Sequence, residues 1–176
     1  MGDGRRWGFQ DPSFYPIPPK QPLHDMSHLI APSVLSADFA NLRADVEMVN
    51  QSQADWFHLD VMDGVFVPNI SFGMPVTAAI QKYAKKPLDV HLMIEHPRNN
   101  IELFLRYLRE GDTVYIHPEA EYHPSATIQK IIDHGMHPGI AINPGTSVES
   151  VREQLRIVDR VLVMAVNPGN ASQMFL

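Results

Sequence analysis

The sequence contains no cysteine in its 176 residues. This absence excludes a disulfide framework, a thiolate metal site and a cysteine nucleophile. Any metal site in this chain must therefore be built from histidine and carboxylate side chains, which the sequence does contain.

Signals for a membrane, for secretion and for nucleic acid are absent as well. No apolar run approaches the roughly 18 residues of a membrane span, and the N-terminus has no apolar segment of the kind found in a secretory signal. The net charge is −6, with 14 basic residues against 20 acidic ones. Nucleic-acid binding requires clustered Lys and Arg, so nucleic acid is not an expected partner. We expect a cytoplasmic protein that does not bind a membrane.

Proline is concentrated at the beginning of the chain. The stretch "DPSFYPIPPKQPLHD" contains five prolines and favours extended or polyproline II conformations, because proline cannot donate a hydrogen bond to a sheet. We therefore predict a disordered, proline-rich extension over residues 1–28. The remaining residues, 29–176, are enough for one domain with an apolar core.

From residue 29 onward, apolar runs typical of strands alternate with segments of helical spacing. The six runs lie at residues 29–35, 55–62, 87–93, 112–117, 137–142 and 160–166. Helical spacing of apolar residues is clearest in the segments 39–49, 101–108 and 148–158. Six strands alternating with five helices predict βαβ units in an α/β fold with a parallel sheet.

Two architectures fit such a sheet: an open doubly wound sheet and a (β/α)₈ TIM barrel. No G-x-G-x-x-G follows the first strand, where a dinucleotide-binding fold carries it. Polar residues lie near the C-terminal ends of the second and third strands, and barrels collect their chemistry from several strands at that end. We therefore predict a TIM barrel of which the first six strands are present. Such a partial barrel would leave two strand edges unpaired, so we expect a fragment of a longer chain.

Two neighbouring predicted strands carry polar side chains inside apolar runs. In "HLDVMDG", His58, Asp60 and Met62 alternate with apolar residues and so share one face of the strand. In "PLDVHLM", His91 and Met93 follow the same pattern. Imidazoles and a carboxylate on adjacent strands suit a divalent ion such as Zn²⁺, Fe²⁺, Mn²⁺ or Co²⁺. From the residues alone, a metal site and ordinary core histidines are about equally supported.

Residues 29–176 resemble the ribulose-phosphate 3-epimerase family. The resemblance is carried, in family order and spacing, by "IAPSVLSADFANL", "FHLDVMDGVFVPN", "PLDVHLM", "HPEA" and "VMAVNPG". It implies a partial TIM-barrel epimerase domain and a metal-dependent isomerase of the pentose phosphate pathway. The implied reaction interconverts D-ribulose 5-phosphate and D-xylulose 5-phosphate by inversion at C3 through an enediolate. The family often assembles into homo-oligomers, which we expect here too.

The resemblance also assigns roles to individual residues. It implies His58, Asp60 and His91 as ligands of one divalent metal ion, with Asp60 as the catalytic acid/base on one face of the intermediate. The fourth ligand and second acid/base of the family is an aspartate on a seventh strand, in a "VDGG"-type motif that this sequence does not contain. The residues implied to bind the substrate are Ser33, Met62, His91, Met93, Met164 and Gly169.

Structural roles stay open for several of these residues. Ser33 is equally well explained as a strand-end serine that bonds to nearby backbone, and the methionines as packing in the barrel core. His117 and Glu119, in "HPEA", match the family without a chemical role. We expect them to act at the start of a helix or in bracing a loop.

The loop after the sixth strand departs from the family pattern N-P-G-F-G-G-Q. Here it reads "NPGNASQ", with Gly169 kept and Asn170, Ala171 and Ser172 in place of an aromatic residue and two glycines. Glycine permits positive φ and close approach to a ligand, so we expect phosphate binding in altered geometry or a different substrate. Two alternatives follow: a 3-epimerase of allulose 6-phosphate, or an inactive, truncated remnant that binds sugar phosphates or a protein.

Overall fold

The computed structural model of the chain describes residues 28–170 and 173–174. The proline-rich extension predicted for residues 1–28 lies outside them except for its last residue. Ala171 and Ser172 of the altered loop also lie outside the described residues.

Within residues 28–170, five parallel strands form one sheet in the order in which they occur along the chain. The strands are β1 Phe57–Met62, β2 Leu88–Met93, β3 Thr113–Ile116, β4 His137–Ile142 and β5 Arg160–Val163. Each strand pairs with the next one, without the reversal of order that marks a doubly wound sheet. The sheet is that of a partial (β/α)₈ barrel, which confirms the predicted fold class.

The α-helices of the described segment alternate with the strands as expected for βα units, with α1 before β1. They are α1 Leu42–Gln51, α2 Met74–Tyr83, α3 Ile101–Leu105 and α4 Pro124–Asp133. Glycines with positive φ, Gly111 and Gly135, lie in the turns that lead into β3 and β4. No helix in the described part of the chain is long and apolar enough to cross a membrane.

The prediction of a strand at residues 29–35 was wrong, because this segment does not form a regular strand. The carbonyl oxygen of Pro32 accepts a hydrogen bond from His58 N at 3.0 Å, and Ser33 forms an isolated parallel bridge with His58. A 3-10 helix, Val34–Ser36, then begins. Pro32 has no N–H to donate, so the segment lies beside β1 without completing a ladder.

Two further predictions need correction at the C-terminal side. The last strand ends at Val163, whereas residue 166 was predicted. The predicted helix over 148–158 is replaced by two short 3-10 turns, Val148–Val151 and Gln154–Arg156. Of the residues in these two turns only Val151 is buried. Most helix stability in proteins comes from packing an apolar face, and that packing is missing here.

Alternation along β1 divides its side chains between the core and the barrel interior. Phe57, Leu59 and Val61 are at most 2% exposed and pack in the main apolar core. The alternate residues His58 and Asp60 point to the other face, where they are only partly covered. This division leaves polar side chains on the inner face of the sheet.

Gly139 provides space for an aromatic ring on that inner face. The strand register places His91 opposite Tyr115, and Tyr115 opposite Gly139. A Cβ at Gly139 would lie 2.6 Å from Cε1 and 2.9 Å from Cγ of Tyr115. The buried ring of Tyr115 thus occupies the volume that any other residue at position 139 would fill.

We predict that Gly139→Ala lowers the free energy of unfolding by about 1–3 kcal/mol, because the added methyl group overpacks the interior. Gly145→Ala is the matched control: nothing lies within 4 Å of its Cβ position, so a change within about 0.5 kcal/mol is expected. Urea unfolding of the two variants measures the difference. Equal stabilities would show that Tyr115 moves aside freely.

Candidate metal centre

The register between β1 and β2 brings the polar side chains of the two strands together. Asp60 is the register partner of His91, and His58 is the partner of Asp89. All four residues have the same parity along their strands, so their side chains share the inner face. The convergence follows from the parallel pairing itself and requires no unusual backbone.

One carboxylate oxygen lies between two imidazole rings. Asp60 Oδ1 is 3.2 Å from His58 Nε2 and 3.0 Å from His91 Nδ1. The ligand atoms of these three residues all lie within 4.8 Å of one another. The His91 side chain is 2% exposed, and those of His58 and Asp60 are each 15% exposed. The group is therefore covered on one side and open to solvent on the other.

Hydrogen bonds from surrounding residues hold this group in place. His58 Nδ1–H donates to Asp89 Oδ2 at 2.7 Å, which directs Nε2 of the same ring toward Asp60. Ser33 Oγ–H donates to Asp60 Oδ2 at 2.5 Å. In metal sites, a histidine ligand commonly donates its other ring N–H to a carboxylate. This hydrogen bond fixes which ring nitrogen faces the ion.

Proton affinities in the group fit a cation site. Burial lowers the pKa of His58, but hydrogen bonds to Asp60 and Asp89 outweigh burial and raise this pKa to about 9. Burial raises the pKa of Asp60, but hydrogen bonds from His58, His91 and Ser33 outweigh it and leave the pKa far below the usual range. Two carboxylates therefore hold a positive charge between them, and a divalent cation can replace the proton on His58.

His91 differs from His58 in its charge. Burial lowers the pKa of His91 to about 4, against the opposing hydrogen bond to Asp60. His91 is therefore a neutral imidazole at physiological pH, which is the form that binds metals. With one ionised carboxylate and two imidazoles, the donor set suits a borderline divalent cation.

One known protein family matches this chain over most of its length. The family model described as "Ribulose-phosphate 3 epimerase family" matches residues 29–176. The chain belongs to this family. The match confirms the resemblance seen in the sequence motifs.

Curated relatives of the chain carry the same family name. A ribulose-phosphate 3-epimerase of Rhodobacter capsulatus is 45% identical over 152 residues, which cover 86% of this chain and 66% of the relative. One from Synechocystis is 40% identical over 148 residues, covering 84% and 64%. One from Bacillus subtilis is 43% identical over 147 residues, covering 84% and 67%. The chain thus spans about two thirds of the length of these epimerases.

Two of the three methionines expected to bind the substrate lie together. Met62 and Met93 are register partners and form a buried apolar cluster with Val67. They lie one inward-facing position beyond Asp60 and His91, toward the C-terminal ends of the strands. Met164 follows β5 and is half-buried outside this cluster. The structure therefore joins Met62 and Met93 but does not bring Met164 into contact with them.

Gly169 lies against the loop that follows β1. Its φ is +108°, and a Cβ there would be 2.9 Å from Val67 Cβ. Asn69 Nδ2 donates hydrogen bonds to the carbonyl oxygen of Gly169 at 2.7 Å and to Asn170 Oδ1 at 2.5 Å. The altered loop is thus held close to the methionine cluster through Val67.

Ser33 combines both of the interpretations left open by the sequence. Its Oγ accepts a hydrogen bond from Leu35 N at 3.2 Å, which is the local backbone bond of a strand-end serine. The same hydroxyl donates to Asp60. Ser33 is therefore linked directly to the candidate metal centre.

Sequence reasoning did not place three of the surrounding residues at this centre; it expected His117 and Glu119 to act at the start of a helix or in bracing a loop. Asp89 contacts His58, as described above. His117 contacts His91 through their Nε2 atoms at 2.8 Å, and Glu119 lies 3.4 Å from His117. Asp89 could have been identified from its parity with His91, because equal alternation on paired strands puts it opposite His58. The role of His117 depends on the pairing of a third strand, which the motif alone does not give.

Loss of a residue that only orients a metal ligand typically weakens metal binding 10- to 100-fold. We predict a larger loss of Zn²⁺ or Co²⁺ affinity for His91→Ala, because this change removes a ligand. Competition with a chelator measures the affinity. His137→Ala is the matched control, since His137 also bonds a carboxylate, Asp159, at 2.7 Å, but is exposed at the start of β4, two strands away from β2. Unchanged affinity in His91→Ala would remove His91 from the ligand set.

Proposed function

We propose that the protein containing this chain is a metal-dependent ribulose-phosphate 3-epimerase, an isomerase that interconverts D-ribulose 5-phosphate and D-xylulose 5-phosphate. The curated relatives bear this name. The observation that carries the proposal is the carboxylate of Asp60 placed between His58 and His91 on the inner face of a partial barrel.

Asp60 is the carboxylate to which the proposal assigns the role of base. Epimerisation breaks the C–H bond at C3, next to a carbonyl group, and re-forms it on the opposite face, so it needs an acid/base on each side. Asp60 stays ionised at neutral pH, and Ser33 holds its Oδ2 while Oδ1 faces the imidazoles. In the proposal Asp60 removes the C3 proton and leaves an enediolate. The family's seventh-strand aspartate serves the other face.

In this proposal His58, Asp60 and His91 hold one divalent ion. The candidate ions are Zn²⁺, Fe²⁺, Mn²⁺ and Co²⁺. When bound, the ion supplies Lewis-acid stabilisation of the negative charge that develops on the substrate oxygens. Asp89 orients His58, and Ser33 orients Asp60. The donor set in this chain supports such an ion without selecting among the four metals.

Apolar and backbone groups complete the proposed substrate site. Met62 and Met93 exclude water from the reacting carbons, because a thioether is apolar and donates no proton. Arg160 lies opposite Gly139, which is on the inner face of the sheet. Met164 is four residues after Arg160, so the alternation of side chains assigns it to the same face. Gly169 is assigned to the phosphate end, where a backbone with positive φ allows close approach of an anion.

A cytoplasmic location and assembly into a homo-oligomer are further parts of the proposal. One rice relative, 42% identical, is named a cytoplasmic isoform. The expectation of a homo-oligomer rests on family resemblance. Size-exclusion chromatography with light scattering tests the oligomeric state directly.

We predict that Asp60→Asn lowers kcat by about 10²- to 10⁴-fold, the range expected for loss of a general acid/base. Loss of deuterium exchange at C3 in D₂O should accompany it. Asp159→Asn is the matched control, because this carboxylate also bonds a histidine but lies directly before β5, outside the candidate metal centre. Near-normal exchange in Asp60→Asn would refute its role as the base. Faster turnover of allulose 6-phosphate than of ribulose 5-phosphate would refute the proposed substrate.

A further inference from the structure

His117 is a buried histidine that the proposed reaction does not use. It follows β3 directly, and its side chain is 0% exposed. Its ring lies 5.0 Å from that of His91 on one side and 4.9 Å from that of Phe66 on the other, measured between centroids. Such close packing leaves the ring little rotational freedom.

The contact between His117 and His91 requires a definite arrangement of protons. Their Nε2 atoms are 2.8 Å apart, so one of them carries a hydrogen and donates it to the other. If Nδ1 of His91 offers its lone pair to a cation, the single proton of that neutral ring is on Nε2 and is donated to His117. The proton of His117 then lies on its Nδ1. Each ring keeps one proton in this arrangement.

Glu119 favours this arrangement over the reverse. Its Oε2 is 3.4 Å from His117 Nδ1, which has no hydrogen-bond partner of ordinary geometry among the described residues. With a cation in place of the proton between His91 Nδ1 and Asp60, the reverse tautomer would direct the bare Nδ1 lone pair of His117 at the Glu119 carboxylate, which is unfavourable. Glu119 is itself fixed, because its Oε1 accepts hydrogen bonds from Asn143 N at 3.1 Å and from the hydroxyl of Thr146.

We propose that His117, oriented by Glu119, is a positioning residue that holds His91 in the tautomer whose Nδ1 faces the divalent cation. The chain of contacts runs from Asp60 through His91 and His117 to Glu119, and so connects β1 with the end of β4. This inference deepens the proposed function and rests on it, since it takes His91 as a metal ligand.

Two substitutions at position 117 separate positioning from simple packing. His117→Leu fills space but accepts no hydrogen bond, and a 10- to 100-fold loss of Zn²⁺ affinity is expected, as for other outer partners of metal ligands. His117→Gln retains an acceptor oxygen for His91 Nε2–H and should recover most of that loss. His137→Leu serves as the control for losing a carboxylate-bound histidine away from the site. Chelator competition gives the affinities, and thermal unfolding of the metal-free proteins gives the structural cost of each change.

A direct measurement of the tautomers keeps the test valid even if His117→Leu fails to fold. Two-bond ¹H–¹⁵N correlation spectra of the wild-type chain, labelled with ¹⁵N-histidine and loaded with Zn²⁺, distinguish the two ring nitrogens. We expect His91 to carry its proton on Nε2 and His117 on Nδ1. Ligation through Nδ1 by itself puts the His91 proton on Nε2, so the His117 tautomer is the discriminating signal. A purely structural role for His117 would predict no preference for a proton on its Nδ1 and no recovery in His117→Gln.

The possible failures are distinguishable. If wild-type protein binds no Zn²⁺, Mn²⁺ or Co²⁺, the metal centre of the proposed function fails, and this inference fails with it. If wild-type protein binds Zn²⁺ but His117→Leu binds it equally well, or His117 carries its proton on Nε2, the positioning role alone is overturned. A proton on His91 Nδ1 in the loaded protein would remove His91 from the ligand set and overturn both.

Discussion

The pairing of Asp60 with His91 across β1 and β2 is the contact on which the candidate site depends. The two residues are 31 positions apart in sequence, as are His58 and Asp89, so one register sets both pairs. A slip of one residue in either strand would turn that strand's polar side chains into the apolar core. Burial of Leu59 and Val90, each 0% exposed, opposes such a slip and thereby fixes the site.

Charge balance explains why this polar group is tolerated inside the barrel. Asp60 and Asp89 bring two carboxylates into a partly buried space, where unpaired charge is costly. His58 carries a compensating positive charge between them, and His91 stays neutral. A divalent ion held by His58, Asp60 and His91 would take the place of the proton on His58 and raise the charge of this group by one, against the two carboxylates.

The sequence predicted the parallel sheet, and the family membership that its motifs indicated is confirmed. Alternation of polar and apolar residues was sufficient to place His58, Asp60 and His91 on one face, because side-chain direction in a strand is set by parity. Their catalytic and metal-binding roles stay predictions. The errors have local causes: Pro32 lacks a donor for a sheet ladder, and the segment 148–158 buries too little apolar surface to form a helix.

The contact of Gly169 with Val67 limits how the two loops can diverge in evolution. Residue 169 has no room for a side chain, and Asn69 is bonded to both the Gly169 carbonyl and the Asn170 side chain. Replacement of Asn170 therefore leaves the Asn69 amide without one of its acceptors. Positions 69 and 170 are thus linked by a direct hydrogen bond although they lie 101 residues apart in the sequence.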